Sequence, residues 1–351
     1  MSEQATRTLA HGEPPAESDA SLAEALVLLG WHYIRAGRLE KAQDVLQWSR
    51  VAFDRLATPP AQGFGTHPLP VLGLVAFMRG DYATAAQLGV EARRHLEARG
   101  DRANLAMAFY VLASAAFAQG DYEAAAAHAH QAYEIAEQHK NRRFTVYVLN
   151  QLGDVARVLG DYAQARRYYE QGYSIRETMA DRPGMAVSLD RLGAIALVQR
   201  EYASAHSLYQ QSRAIYQEIE DRCGLAASLN GLGAVACALG EYDTAQAHLH
   251  DALQLASAAQ LVPLTLSILS NIAELYLHTG REGQAVELLG RLRRHPSSDQ
   301  ELRDRAATLL SHAEGRRASS QGAAVGDRED TADLGAVITD LLRQLVRPAG
   351  A

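Results

Sequence analysis

Two His-x-His pairs, His128/His130 and His248/His250, stand out first, because closely spaced imidazoles can ligate metals. Gly231-Leu232-Gly233-Ala234-Val235-Ala236 imitates part of a dinucleotide-binding fingerprint, and Cys223 and Cys237 are the two thiols. Tyr82, Tyr122, Tyr162, Tyr202 and Tyr242 carry phenols that could be phosphorylated or stack on bases. Their context argues against each of these chemistries. Neighbours two apart on a helix point to different sides, so neither histidine pair chelates. The glycine run lies inside a helical pattern instead of following a strand. Fourteen residues separate the cysteines, about 21 Å along a helix, too far for a bridge and the wrong spacing for a metal. The tyrosines recur with a strict period, which marks them as packing residues. No GxxxxGK[ST] loop, HExxH or GxSxG motif occurs. The sequence therefore predicts no metal, no cofactor and no enzyme.

The elements behind these residues form a repeat. Gly80-Asp81-Tyr82, Gly120-Asp121-Tyr122 and Gly160-Asp161-Tyr162 recur forty residues apart, continued by Arg200-Glu201-Tyr202, Gly240-Glu241-Tyr242 and Gly280-Arg281-Glu282. An earlier copy, Gly37-Arg38-Leu39, lies forty-three residues before Gly80. Each turn is followed by an alanine (Ala42, Ala85, Ala125, Ala165, Ala205, Ala245, Ala285) and preceded by Leu29, Leu72, Leu112, Leu152, Leu192, Leu232 or Ile272. Seven copies in one register predict seven helical hairpins. Gly160 suits the positive φ of a helix C-cap, and Asp161 can cap the helix that follows. Asp101, Asn141, Asp181 and Asp221 stand where the first helices of later hairpins need an N-cap. Small residues at Gly30, Gly73, Ala113, Gly153, Gly193, Gly233 and Ala273 let paired helices approach, and Tyr169 and Tyr209 join the turn tyrosines in filling the space between hairpins.

Leu152-Gly153, Ala156, Gly160, Tyr162, Ala165, Tyr169 and Gly172 carry the offsets of the tetratricopeptide repeat, and residues 21 to 293 resemble that family. The forty-residue period is similar to the longer variant in the C-terminal arrays of bacterial signalling ATPases and LuxR-type regulators. The resemblance implies an all-α protein, a right-handed α-α superhelix of about seven hairpins with a capping helix. It also implies a concave groove lined by first helices. Carried over position by position, that groove takes Trp31, Arg35, Phe77, Tyr110, Ser114, Phe117, Tyr147, Asn150, Asp154, Arg157, Asp190, Arg191, Asn230, Asn271, Glu274 and His278. Asn150 and Asn230 can bond a peptide backbone, since an amide both donates and accepts. The groove set contains no lysine, so the two-lysine clamp of co-chaperone relatives is missing.

Outside the hairpins, residues 1–20 read as a disordered tail, and Ser298-Asp299-Gln300-Glu301 has the form of a capping box that opens a final helix of the solenoid. The array with this cap spans 21–315. Residues 316–331 have linker composition, and 332–347 place Leu334, Val337, Ile338, Leu341, Leu342 and Leu345 on one face of a helix. That stripe either docks on the array, binds a partner or forms a homodimer. A formal charge of −7 argues against direct nucleic-acid binding. No apolar run approaches the ~20 residues that cross a bilayer, and no signal segment follows Met1, so no membrane contact and a cytoplasmic location are expected. The expected function is an adaptor or scaffold that binds a protein or peptide segment in the groove. The alternative is a sensory or regulatory module in a bacterial signalling or transcription system.

Overall fold

The computed structural model describes residues 19–56, 64–320 and 334–345; the expected tail lies outside these, except at its last residues. Every described element of regular structure is a helix. In chain order these are α1 (Asp19–Arg35), α2 (Leu39–Arg55), α3 (Pro68–Met78), α4 (Tyr82–Arg99), α5 (Arg102–Gln119), α6 (Tyr122–Gln138), α7 (Arg142–Val158) and α8 (Tyr162–Thr178). They continue as α9 (Arg182–Val198), α10 (Tyr202–Glu218), α11 (Arg222–Leu239), α12 (Tyr242–Ala258), α13 (Val262–His278), α14 (Glu282–Arg294), α15 (Gln300–Ser320) and α16 (Leu334–Leu345). The fold is an all-α solenoid of hairpins.

The caps follow the sequence. Gly160 has φ +83°, Asp161 N–H donates back to the Ala156 carbonyl (2.9 Å), and the Asp161 carboxylate accepts from Gln164 N–H (3.0 Å). Asp101, Asn141, Asp181 and Asp221 likewise accept from the backbone N–H of Asn104, Phe144, Gly184 and Gly224. Between second and first helices the left-handed position falls mostly on residues with side chains: Lys140, Ala180, Glu220 and Gln260, at φ between 51° and 57°.

The chain divides into two compact units, residues 1–116 with 124–144, and residues 117–123 with 145–351. In the first, Val27, Leu46, Phe53, Leu72 and Val75 build a core between α1, α2 and α3. The three extra residues between the first two repeats accompany a shortened first helix. α3 starts on Pro68, a residue suited to a helix's first position, with His67 as N-cap. The segment just before it folds back. Trp31 Nε1 donates to the Gly65 carbonyl (2.8 Å), and Asn104 Oδ1 accepts from Thr66 and His67 N–H (both 3.1 Å). Phe64 packs on Phe144 (5.1 Å between centroids).

In the second unit the large cluster around Leu249, Leu253, Leu269, Ile272 and Leu289 gathers α11 to α16. α16 belongs to it: Ile338 and Leu341 are buried there and Val337 and Leu342 pack beside them, so this part of the stripe is covered by the chain itself. α15 runs to Ser320, past the end expected near Gly315. Tyr169 and Tyr209 are buried between hairpins, Tyr169 against Gly153, where an added Cβ would lie 2.3 Å from its ring. The five turn tyrosines are only half-buried, at the hairpin edges. α11 is 18 residues long and the one described helix apolar enough by length and composition to cross a membrane, closer to that limit than expected from sequence. Its Leu229, Leu232, Val235 and Ala236 are core residues of the hairpin stack, which accounts for the apolarity.

Candidate functional site

In the second unit, the first helices α7, α9, α11 and α13 present their inner faces to a cavity of about 790 Å³. Seven of the expected groove residues line it: Asp154, Arg157, Asp190, Arg191, Asn230, Asn271 and Glu274. They come from four successive hairpins because a forty-residue repeat returns the same helix face each time.

Polar groups there form linked pairs. Asp154 Oδ1 accepts from Tyr169 Oη (2.7 Å) and from Arg191 Nη1 (2.6 Å). Burial holds the Tyr169 phenol far above its ordinary range, and the Asp154 charge adds to this. Asn271 Nδ2 donates to Asn230 Oδ1 (2.7 Å), whose own amide reaches Ser267 Oγ (3.3 Å). The amide of Asn230 is therefore engaged within the chain.

The capping helix α15 supplies what the sequence reading lacked. Glu301 accepts from both terminal nitrogens of Arg157 (2.7 and 2.8 Å), a fork-to-fork pair between residues 144 apart in sequence. One turn on, Arg305 donates to Asn271 Oδ1 (2.8 Å) and Glu274 Oε2 (2.5 Å). Burial alone would weaken the charge on Arg157, but the Glu301 carboxylate outweighs it and holds the guanidinium firmly protonated. Glu301 and Arg305 both line the cavity. The only trace of them in the sequence is the expected capping box, which the structure corrects: Asp299, not Ser298, caps α15 by accepting from Leu302 N–H (2.8 Å), and Ser298 Oγ donates to the Leu292 carbonyl (2.6 Å).

Asp190 is in a different state. Burial pushes its carboxyl up to about 7, against the opposing pull of the Ser212 and Tyr216 hydroxyls and of Arg191. Its Oδ1 and Ser212 Oγ are both shut away from solvent, and the Ser212 and Tyr216 hydroxyls are the donors beside the carboxyl.

Other expected groove residues lie apart from this cavity. Asn150 is buried with its Oδ1 unpartnered, and Tyr147 is half-exposed below the Arg176 guanidinium (6.0 Å). Phe77 and Phe117 lean on the turn tyrosines of their own hairpins, Tyr82 and Tyr122, and His278 on Tyr242 of the preceding hairpin, at 5.4 to 5.8 Å. In the first unit Trp31 is held by Gly65, Tyr110 meets Phe144 (5.8 Å), and the Ser114 hydroxyl donates back to the Tyr110 carbonyl (3.0 Å). Arg35 is exposed. Among the described residues no cluster of three His, Cys, Asp or Glu could hold a metal. Cys223 is exposed and Cys237 buried, both as free thiols.

Models of the tetratricopeptide repeat match residues 144–218 and 224–295, and a further one matches 23–48 and 106–131. The chain belongs to the tetratricopeptide repeat family. No curated protein matches it in sequence. Among solved structures, this tetratricopeptide repeat protein resembles the Rap conjugation gene regulator of the plasmid pLS20 in complex with the Phr* peptide. The TM-score is 0.60 at 15% identity, over 84% of this chain and 75% of that one. It also resembles aspartyl phosphate phosphatase F from Bacillus subtilis (TM-score 0.55, 14% identity, 91% and 99% covered). A third is a signal-transduction ATPase of Pyrococcus horikoshii with a tetratricopeptide repeat sensor (TM-score 0.51, 12% identity, 92% and 44% covered). At these identities the likeness is one of fold.

Proposed function

We propose that this tetratricopeptide repeat protein is a cytoplasmic adaptor, without catalytic activity, that holds an extended peptide or protein segment in the groove of its second unit. One observation carries the reading: equivalent positions of four consecutive hairpins converge on a single polar cavity. A helix face that returns at a repeated spacing suits a ligand with a regular repeat, and an extended polypeptide is one. The Rap regulator of similar fold was solved with a peptide, which agrees with this.

Capture from an extract of the native cell, by the intact chain and by its R191A and E274A variants, tests the proposal. Both residues line the cavity, one from the fifth hairpin and one from the seventh. Loss of specific partners in either variant is expected, and identical recovery from all three removes the groove model. A second reading, a sensory module acting on a separate effector, is favoured by the similarity to the sensor-bearing ATPase. A captured ATPase or DNA-binding protein would select it.

A further inference from the structure

In the first unit a short stretch of chain is not helical where the repeat calls for a helix. α5 begins at Arg102, so the forty-residue period would begin α3 at about residue 62; it begins at Pro68. His67, which precedes that proline, is held extended (φ −96°, ψ 133°), and the chain turns at Phe64 and Gly65. This stretch is gripped by side chains of other hairpins. Trp31 Nε1 on α1 donates to the Gly65 carbonyl (2.8 Å), and Asn104 Oδ1 on α5 accepts from the main-chain N–H of Thr66 and of His67 (both 3.1 Å). The Phe64 ring packs on Phe144 (5.1 Å) and His139 (5.6 Å). Gly65 has φ +71°, and an added Cβ would lie 2.9 Å from the Trp31 ring, so the position suits glycine alone.

The grip does not depend on the stretch it holds. Asp101 Oδ2 accepts from Asn104 Nδ2 (2.7 Å), which leaves Oδ1 aimed at the chain, and Phe144 is supported by Tyr110 (5.8 Å). Three of the contacts are to main-chain groups that any peptide carries; the aromatic ring and the glycine are the specific ones. The helix that follows keeps its own cap, since His67 Nδ1 accepts from Leu69 N–H (3.3 Å). We propose that these side chains form a binding site for a partner peptide with an aromatic residue followed by glycine, and that residues 64–66 are its resident stand-in. The partner's ring replaces Phe64, the glycine carbonyl meets Trp31, and the next two N–H groups meet Asn104. The site shares no residue with the cavity of the second unit, so it stands or falls without that reading.

A resident tethered to its own site competes at an effective concentration on the order of millimolar. A free peptide therefore meets an open site only in the fraction of molecules whose resident has left. Weakening the resident tightens the partner, the reverse of what removing a ligand-gripping residue does. That sign separates a binding site from a loop that is merely packed.

The peptide Ala-Gln-Gly-Phe-Gly-Thr-His, a copy of residues 61–67 with blocked ends, is titrated by calorimetry into the full chain and into its F64A and F64L variants. F64L keeps an apolar side chain against Phe144 and serves if the melt of F64A shows that it does not fold. The folded variants should bind the peptide at least ~10-fold more tightly than the wild type, which corresponds to a resident seated roughly nine-tenths of the time. Peptides with alanine in place of the phenylalanine, or of the glycine after it, should not bind. Equal affinity for wild type and variants, binding of the altered peptides, or no binding at all overturns the proposal. Hydrogen exchange on the wild-type chain is the second measurement. The amides of Thr66 and His67 should exchange by local opening, well before those of α5; exchange only on global unfolding would make the stretch a fixed part of the core and overturn the site. Sedimentation covers the remaining occupant: a dimer that F64A abolishes would mean that the site takes the same stretch of a second copy, and the partner-peptide form would be wrong.

Discussion

Glu301→Gln tests the most informative contact in the second unit. The substitution keeps the size of the side chain and removes the charge that Arg157 grips with two hydrogen bonds of 2.7 and 2.8 Å. Exposed ion pairs are worth about 0–1 kcal/mol, and buried hydrogen bonds to charged groups about 1.5–3 kcal/mol. Here the side chains are 21% and 37% exposed, between those limits, so the coupling should be about 1–2 kcal/mol. In a unit of this size, that lowers Tm by about 2–8 °C. The assay is a double-mutant cycle of the wild type, E301Q, R157M and the double variant, unfolded in urea and followed by circular dichroism. A non-additive term of the stated size, shrinking in high salt, is expected. Single effects that simply add, within about 0.3 kcal/mol, would refute the reasoning and make the pair a bystander.

Further predictions follow from packing and charge. Gly153→Ala pushes a methyl into the Tyr169 ring, which Asp154 holds in place, and should cost about 1–3 kcal/mol in denaturant melts. Gly172→Ala, whose new Cβ would lie no closer than 3.4 Å to a neighbour, should cost far less in the same melts. Ala180→Gly relieves a left-handed residue between α8 and α9 and should add about 0.5–1 kcal/mol of stability. Deleting 332–351 uncovers the site where Ile338 and Leu341 are buried and should lower Tm; an unchanged Tm would mean that the helix does not stabilise the array. His67 has its pKa lowered to about 3 by burial and by nearby His95, Arg99 and Arg50. The unfolded chain binds that proton near pH 6.5 and the folded one does not, so the stabilising share of His67 is whole above 6.5 and is lost as pH falls towards 3. H67N, which keeps an N-cap acceptor, should show a shallower fall in stability between pH 6 and 4.

Much of the fold can be read along the chain. Caps such as Asp161 and Gly160, and small residues such as Gly153, act within one hairpin, so their spacing alone reveals them. The cavity-lining positions are legible for the same reason: Asp154, Asp190 or Arg191, Asn230 and Asn271 or Glu274 lie on one face of successive first helices. Glu301 and Arg305 are not, because the meeting of α15 with α7 depends on small rotations summed over four hairpins. The turn tyrosines show a different limit. Their periodicity gave their register but not their depth, and they sit at the edges while Tyr169 and Tyr209 fill the interior. Asn230 was read as free for a ligand, yet Asn271 one repeat later is close enough to take its carbonyl.

A solenoid in which each repeat touches only its neighbours unravels from its ends, one unit at a time. The clasp between Arg157 and Glu301 breaks that rule for the second unit, because it ties the start of a run of hairpins to the helix that finishes it. Fraying from the C-terminal side must then release the fourth hairpin's arginine before the seventh hairpin can peel away. Melting of this unit therefore becomes more nearly all-or-none than a linear stack would allow. The same release opens the cavity that Arg157 and Glu301 line, so exposing the proposed partner site and beginning to unfold share their first step.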